Sequence, residues 1–316
     1  MHNKGRLSIL ALLTAVLIII YLFTDIGSYW DYVLPKRGIK IAAVVLTAAA
    51  IGFSTIVFQT ITNNRILTPS IIGLDSLYML IQTALIFVFG SGSQSVMNNN
   101  LNFVISVGLM VLFAALLYKF LFKRESQNIY FLLLIGLIMG TMFQSFSSFM
   151  QVIIDPNEFQ IIQDRMFASF NNINTDLLGI SVFIIAAVFI YFFREIKYLD
   201  VLSLGREQAI NLGVDYDHVV KRLLILVAIL VSVATALVGP ITFLGLLVVN
   251  VSYQFFKTYR HAYLAAGSVL ISIIALIGGL LIVERVFTFS TTLSVIVNFI
   301  GGVYFIYLLL KENKAW

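Results

Sequence analysis

The chain contains no cysteine, which removes disulfides, thiolate metal sites and thiol nucleophiles at once. Histidine is nearly absent too. His2, His218 and His261 are the three present, and all fall in segments read below as cytoplasmic, so none builds an intramembrane metal ladder. Charge is scarce: 11% of residues are Asp, Glu, Lys or Arg, against about 25% in a soluble domain. No G-x-x-x-x-G-K-[ST] loop occurs, so ATP is not bound by that device. No His/Asp/Ser set and no carboxylate pair falls within the apolar stretches, which leaves no constellation for an active site. The chain is therefore not read as an enzyme, and it calls for no cofactor of its own.

What is abundant is apolar surface. Hydrophobic residues make up 60% of the 316, and the mean hydropathy is +1.00, outside the soluble range. A bilayer core about 30 Å thick takes about 20 apolar helical residues. Ten such spans are predicted, at 7–23, 39–61, 70–89, 103–122, 129–154, 177–193, 223–238, 241–256, 262–283 and 293–310. The seventh and eighth together cover 34 residues, or about 51 Å at ~1.5 Å per residue. That is too long for one crossing, and Gly239-Pro240 stands where a turn is needed. The expected class is an all-α polytopic membrane protein, one transmembrane domain over 1–316. Lys4 and Arg6 precede the first span as in a signal peptide. Its apolar run is longer than an h-region, however, and Asp25-Ile26-Gly27 offers no small-x-small cleavage site, so the span is expected to be retained.

Basic residues set the orientation. With the N-terminus inside, fifteen of the twenty lie in cytoplasmic segments: Lys4, Arg6, Arg65, Lys119, Lys123, Arg124, Arg194, Lys197, Arg206, Lys221, Arg222, Lys257, Arg260, Lys311 and Lys314. Lys36, Arg37, Lys40, Arg165 and Arg285 are the outer five. An even number of spans then places both termini in the cytoplasm. The net charge of +5 reflects this bias and does not signal nucleic acid.

One long polar stretch interrupts the spans, 195–222, and within it 204–214 reads as a short helix stopped by glycine. Leu204, Ala209, Leu212 and Val214 give it an apolar side; Arg206, Glu207 and Asn211 give it polar edges. Gly205 and Ala209, small at i and i+4, would let a partner surface approach closely, and Gly213 can take the left-handed conformation that ends a helix. The alternative is a solvated amphipathic loop on the membrane surface.

Within the spans the one acid is Asp75, the cations Lys40 and Lys119 standing at span ends. It either hydrogen-bonds a neighbouring helix or takes part in gating or in a solute route. Gly136-x-x-x-Gly140 lets another backbone approach, from the same subunit or a second one. The Ser/Phe/Met-rich run 139–150, which includes Gln144, either lines a wide path or packs against lipid and helices. Arg37 and Lys40 are placed to anchor the second span at the headgroups. A proton-coupled carrier or bare-metal transporter would need several intramembrane acids or histidines, or broken helices at matching points of two halves. Only Gly239-Pro240 fits the second condition.

Four blocks carry a family resemblance. The first is Arg37, Ala50, Gly52 and Gln59, then Asn64-Arg65-Ile66-Leu67-Thr68-Pro69 and Gly73-Leu74. The second is the 204–214 segment, with Gly205, Ala209, Leu212, Gly213 and Val214 on pattern. The third is Gly239-Pro240-Ile241-x-Phe243-x-Gly245-Leu246. The fourth is Glu284-Arg285 with Gly301-Gly302-x-Tyr304-Phe305. In order and spacing the chain resembles the FecCD-type permeases, membrane subunits of ATP-binding-cassette (ABC) importers for iron–siderophores, haem and vitamin B12. Three positions depart from that pattern: Arg65 replaces a proline, Val249-Asn250 replaces proline–histidine, and Tyr253 stands near where an arginine is usual.

The resemblance implies the type II ABC importer permease fold of ten helices, two permease subunits side by side and a path on their two-fold axis. The second permease would be an identical chain or a paralogue. It implies an ATPase subunit dimer that uses ATP and magnesium, and a substrate-binding protein outside. The cysteine-free, Asn/Ile/Lys-rich composition suits a Gram-positive plasma membrane, where that protein is a lipoprotein. The expected cargo is a ferric siderophore, with haem or a cobalamin as alternatives. By the same resemblance, Leu204, Gly205, Arg206, Ala209, Leu212 and Gly213 couple to the ATPase. Asn64, Ile66, Leu67 and Pro69 form a cytoplasmic gate, in which Ile66 and Leu67 suit a dry constriction or simply cap the third span. Gly136, Gly140, Gln144, Gly301 and Gly302 mark the path or subunit interface. Lys36, Arg37, Arg165 and Arg285 are candidates for docking the binding protein. The rival classes are a secondary carrier or channel for a small amphipathic solute, and a membrane enzyme or assembly scaffold.

Overall fold

The computed structural model describes residues 3–24, 29–93, 98–121, 129–171, 173–288 and 291–312. His2, the segment Asp25-Ile26-Gly27, and the cations Lys123, Arg124 and Lys314 lie outside them. Among the described residues every regular element is helical. In chain order they are α1 (Asn3–Phe23), α2 (Trp30–Thr62), a 3-10 turn (Pro69–Ile72), α3 (Leu74–Phe89), α4 (Asn99–Leu121), α5 (Ile129–Ile153) and α6 (Pro156–Met166). They continue with α7 (Thr175–Leu202), α8 (Arg206–Asn211), α9 (Tyr216–Val238), α10 (Leu244–Phe256), α11 (His261–Arg285) and α12 (Leu293–Glu312). Each apolar span of the sequence falls on its own helix. Seven of these are long and apolar enough to cross a bilayer, whereas α3, α10 and the apolar part of α12 are shorter.

Local chemistry sets the ends. The third apolar span splits because Gly73 separates the turn Pro69–Ile72 from α3. α9 stops at Gly239, whose φ of +100° is open to glycine and penalised for other residues; Pro240 follows and lacks the amide to continue the ladder. Two helices, not one, thus occupy the seventh and eighth spans. The polar stretch from 195 proves to be three pieces: the last turns of α7, the short α8, and the first turns of α9. Apolar periodicity alone truncates α7 and α9, because their polar ends remain helical beyond the hydrocarbon-length window.

α2 is the centre of the bundle, packed by α9, α11, α10 and α7. Small residues set the spacing. A Cβ on Gly52 would come 2.7 Å from Ser272 Oγ and 3.1 Å from the Ser268 carbonyl on α11. One on Gly245 would lie 2.1 Å from Thr55 Oγ1, so α10 packs directly on α2. Large side chains on α1, α5 and α7, among them Leu12, Phe149, Phe183 and Phe193, point away from the bundle. A soluble protein would bury such a belt; here it is the surface that hydrocarbon wets.

Several polar groups inside the bundle are paired across helices. Gln82 on α3 bonds Asn102 and Ser106 on α4 at 3.0 and 2.8 Å. Thr83 on α3 meets Ser147 on α5 at 2.8 Å. Such bonds fix the rotation of each helix where lipid offers no alternative partner.

Candidate functional site

α2 ends at Asn63 in the left-handed conformation, φ 48°, and the chain turns through 64–68 into Pro69. Three hydrogen bonds hold this turn. Asn64 Oδ1 accepts from the Ile66 amide at 2.9 Å. The Arg65 carbonyl accepts from Gln59 Nε2 at 2.7 Å and from Asn250 Nδ2 at 2.9 Å. Leu67 packs against the core, while Ile66 is half-buried without joining it. Gly136 and Gly140 press on the 3-10 turn that follows. A Cβ on Gly136 would sit 2.7 Å from Ile72 Cα, and one on Gly140 3.2 Å from Gly73 Cα. Both glycines therefore serve a contact within this chain, between α5 and the 3-10 turn Pro69–Ile72 with Gly73.

Gln144, one helical turn beyond Gly140, lines a recess of about 170 Å³ with Asp75, Ser76, Ser147, Gln151 and Thr242. Asp75 Oδ1 accepts from Thr235 Oγ1 at 3.4 Å, while its Oδ2 is buried without a hydrogen-bond partner. The structure thus brings the single intramembrane acid and the expected path residue Gln144 into one polar recess. Gly301 is covered by Phe243, whose Cβ would lie 2.5 Å from an added Cβ, whereas Gly302 has open space.

The 204–214 segment forms α8, entered through Gly205 and left through Gly213 at φ +83°. One expectation is overturned here. Ala209 is 0% exposed, turned into its own chain, and its carbonyl accepts from the Val214 amide at 3.0 Å. Its small side chain lets α8 seat on α7 and α9, and it presents nothing to a partner. The exposed apolar face keeps the expected Leu204 and Leu212 and adds Ile210, at 56%, 63% and 46% exposed. Arg206 is held locally, 3.6 Å from Asp217.

At the opposite end of the bundle, all four proposed docking cations have internal partners. Arg37 Nη1 donates to the carbonyls of Tyr21, Leu22 and Thr24 at 3.0, 3.0 and 2.6 Å, closing the end of α1. Arg285 Nη2 donates to the Thr24 carbonyl at 3.1 Å. Arg165 bonds Gln82 Oε1. Lys36 Nζ donates to Tyr32 OH, one turn back on α2, and lies over that ring. Lys40 sits 3.1 Å from Glu284 Oε1, which also accepts from Tyr21 OH at 2.8 Å. Lys40 was expected to anchor at headgroups; its pairing needed the fold, since Glu284 lies on α11.

α6 has no counterpart among the apolar spans, although its signal is local. Asp155 accepts from the Asn157 amide at 2.8 Å as an N-cap, with Pro156 in the first turn. A search keyed to hydrophobic length passes over it.

A multi-helix membrane bundle with a broken α9/α10 pair, a braced turn after α2 and a short helix in its longest polar connection is the fold of an ABC importer permease. The chain belongs to the FecCD transport family, whose pattern matches residues 7–311. It is 66% identical over 316 residues to the petrobactin import system permease protein YclO of Bacillus subtilis (strain 168), covering 100% of both chains. It is 38% identical over 281 residues to the petrobactin import system permease protein FatC of Bacillus anthracis, covering 89% of this chain and 79% of that one. Among solved structures, a candidate metal-chelate type ABC transporter in an inward-facing conformation superposes with a TM-score of 0.85. The identity there is 23%, with 98% and 99% of the two chains covered. The chain is accordingly a multi-pass protein of the bacterial plasma membrane.

Proposed function

We propose that this chain is the permease subunit of an ABC importer that carries a ferric siderophore inward, with petrobactin the first cargo to test. The observation that carries the reading is full-length identity of 66% to a petrobactin import permease. The exposed Leu204–Ile210–Leu212 face supports it, since an apolar patch on a cytoplasmic connection calls for a protein partner. The partners are an ATPase dimer below, a second permease beside it and a binding lipoprotein outside. Both termini and α8 lie in the cytoplasm, in keeping with the basic-residue bias, and all ten apolar helices cross the membrane, the short ones as half-buried members of the bundle.

The energy enters through the ATPase. The groups of this chain position the cargo and close its route, with the turn 63–69 as inner gate and the Asp75–Gln144 recess beside the path. The test is uptake of radio-iron-loaded petrobactin by a deletion strain and its complemented form, with haem and cobalamin as control cargoes. Uptake restored by complementation for petrobactin alone supports the reading. Restoration only for haem or cobalamin moves the cargo, and uptake that persists without ATP moves the class.

A further inference from the structure

A cavity of about 600 Å³ opens between the ends of α2 and α7. Asn63, Asn64 and Arg65 line one side, and Ser203 and Leu204 line the other. Gate turn and coupling segment therefore face one another across open space. A mechanical path between them needs a side chain that bridges the two helix ends.

His261, in the wall of this cavity, makes that bridge. Its side chain is 4% exposed. Nδ1 lies 2.7 Å from Asp200 Oδ1, and the His261 backbone amide donates to the same oxygen at 2.9 Å. Nε2 lies 2.9 Å from Thr60 Oγ1. Asp200 stands in the last turn of α7, shortly before Arg206 opens α8, and Thr60 stands in the last turn of α2, just before the gate turn. Gln59, the neighbour of Thr60, holds the Arg65 carbonyl at 2.7 Å. Two hydrogen-bonded segments, Asp200–His261–Thr60 and Gln59–Arg65, thus join through the Gln59–Thr60 peptide bond and connect the base of the coupling segment to the backbone of the gate.

The proton inventory makes the link directional. A carboxylate only accepts, so Nδ1 carries a proton toward Asp200. A neutral ring then accepts at Nε2, and the Thr60 hydroxyl must supply that proton. The same hydroxyl is 2.8 Å from the Ile56 carbonyl. Its single hydrogen can serve the histidine or the helix, and the choice depends on where α7 holds the ring.

We infer that His261 is a positioning residue that transmits displacement of the coupling segment to the inner gate. The inference rests on the ABC-permease reading above. It differs from a core histidine that merely satisfies its neighbours in one respect: breaking the link leaves the bundle folded and the ATPase bound, but separates hydrolysis from transport.

The test uses the assembled importer in proteoliposomes, with radio-iron-loaded petrobactin, reading cargo moved per ATP hydrolysed. For His261→Ala and for Thr60→Val, ATPase co-purification should persist while cargo per ATP falls about fivefold or more, the factor a single buried hydrogen bond is worth. Thr60→Ser keeps the hydroxyl and should restore the ratio, and the double variant should be no worse than either single one. If His261→Ala fails to assemble, the Thr60 pair still decides the matter. A coupled wild type with unchanged ratios in His261→Ala and Thr60→Val overturns the relay alone. A wild type with no ATP-driven uptake overturns the ABC reading and the relay with it.

Discussion

The Arg65 guanidinium lies over the ring of Tyr253, 4.6 Å from its centroid. Both positions depart from the FecCD pattern, which has a proline at the first and an arginine near the second. The third departure, Asn250, donates its amide to the Arg65 carbonyl at 2.9 Å. Departures scattered over nearly two hundred residues of sequence thus meet at one point of the turn after α2. A proline stiffens a turn through its fixed φ. Here the bracing comes from α10 through Asn250 and Tyr253, and from Gln59 on α2.

The three should therefore behave as a unit. An exposed or half-exposed cation–π contact contributes about 0.5–1 kcal/mol. In a double-mutant cycle of Arg65→Ala and Tyr253→Leu, unfolding of the purified chain should show a coupling energy of about that size. Strict additivity would mean the stacking has no energetic content.

The coupling segment gives two opposite expectations from neighbouring residues. Leu204→Glu with Leu212→Glu places charge on the exposed face. The ATPase should fail to co-purify, with the unfolding temperature of the permease alone unchanged. Ala209→Leu overpacks a 0% exposed site and should destabilise the permease itself by about 1–3 kcal/mol. Loss of ATPase binding in Ala209→Leu without loss of stability would restore Ala209 as a contact residue.

How far could the sequence go? It carried the helices, because hydrophobic length is a local signal, and it carried the α9/α10 break, because Gly239-Pro240 is one. It placed α8 with Leu204 and Leu212 outward but not the burial of Ala209: Ala209 and Leu212 are both apolar, and which one turns inward depends on how α8 leans on α7 and α9. The internal partners of the docking cations were hidden for a related reason. Arg37 and Arg285 converge on the carbonyl of Thr24 from two distant helices, and no spacing in the chain announces that. His261 was visible only as one of three isolated histidines.

The glycines of the path residues separate into two kinds. Gly136→Ala would put a Cβ 2.7 Å from Ile72 Cα, backbone that cannot step aside cheaply. It should destabilise the chain by about 1–3 kcal/mol and loosen the 3-10 turn. Gly302→Ala meets nothing within 4 Å in this chain, so its stability should be unchanged. A defect of Gly302→Ala in assembly of the permease pair would then report a contact with the second subunit, whereas normal assembly places Gly302 off that interface.

Asp75 holds Thr235 through one oxygen and leaves the other unpartnered in the recess. Asp75→Asn preserves the shape and an acceptor for Thr235, so folding should survive. Asp75→Leu leaves buried hydroxyls unpaired at about 1–3 kcal/mol, and its unfolding temperature should fall. If the recess borders the cargo route, Asp75→Asn slows siderophore uptake in a variant that folds and binds ATPase normally. Full uptake by Asp75→Asn confines the residue to packing.

Topology can be tested directly, because the absence of native cysteine leaves no background labelling. The bias of basic residues places the Asp215 end of the bundle in the cytoplasm. Asn157, on α6, belongs to the opposite end, where Glu158 of the same helix accepts from the Ser91 amide at 3.0 Å. Both residues are exposed, so a cysteine at either would be reachable. An impermeant maleimide added to intact cells should label Asn157→Cys and leave Asp215→Cys unlabelled until the membrane is opened. Cytoplasmic placement of Asp215 is also what seats α8 beside an ATPase, since Gly213 and Asp215 are almost adjacent. Labelling of Asp215→Cys in sealed cells would invert the bundle and detach α8 from any cytoplasmic motor.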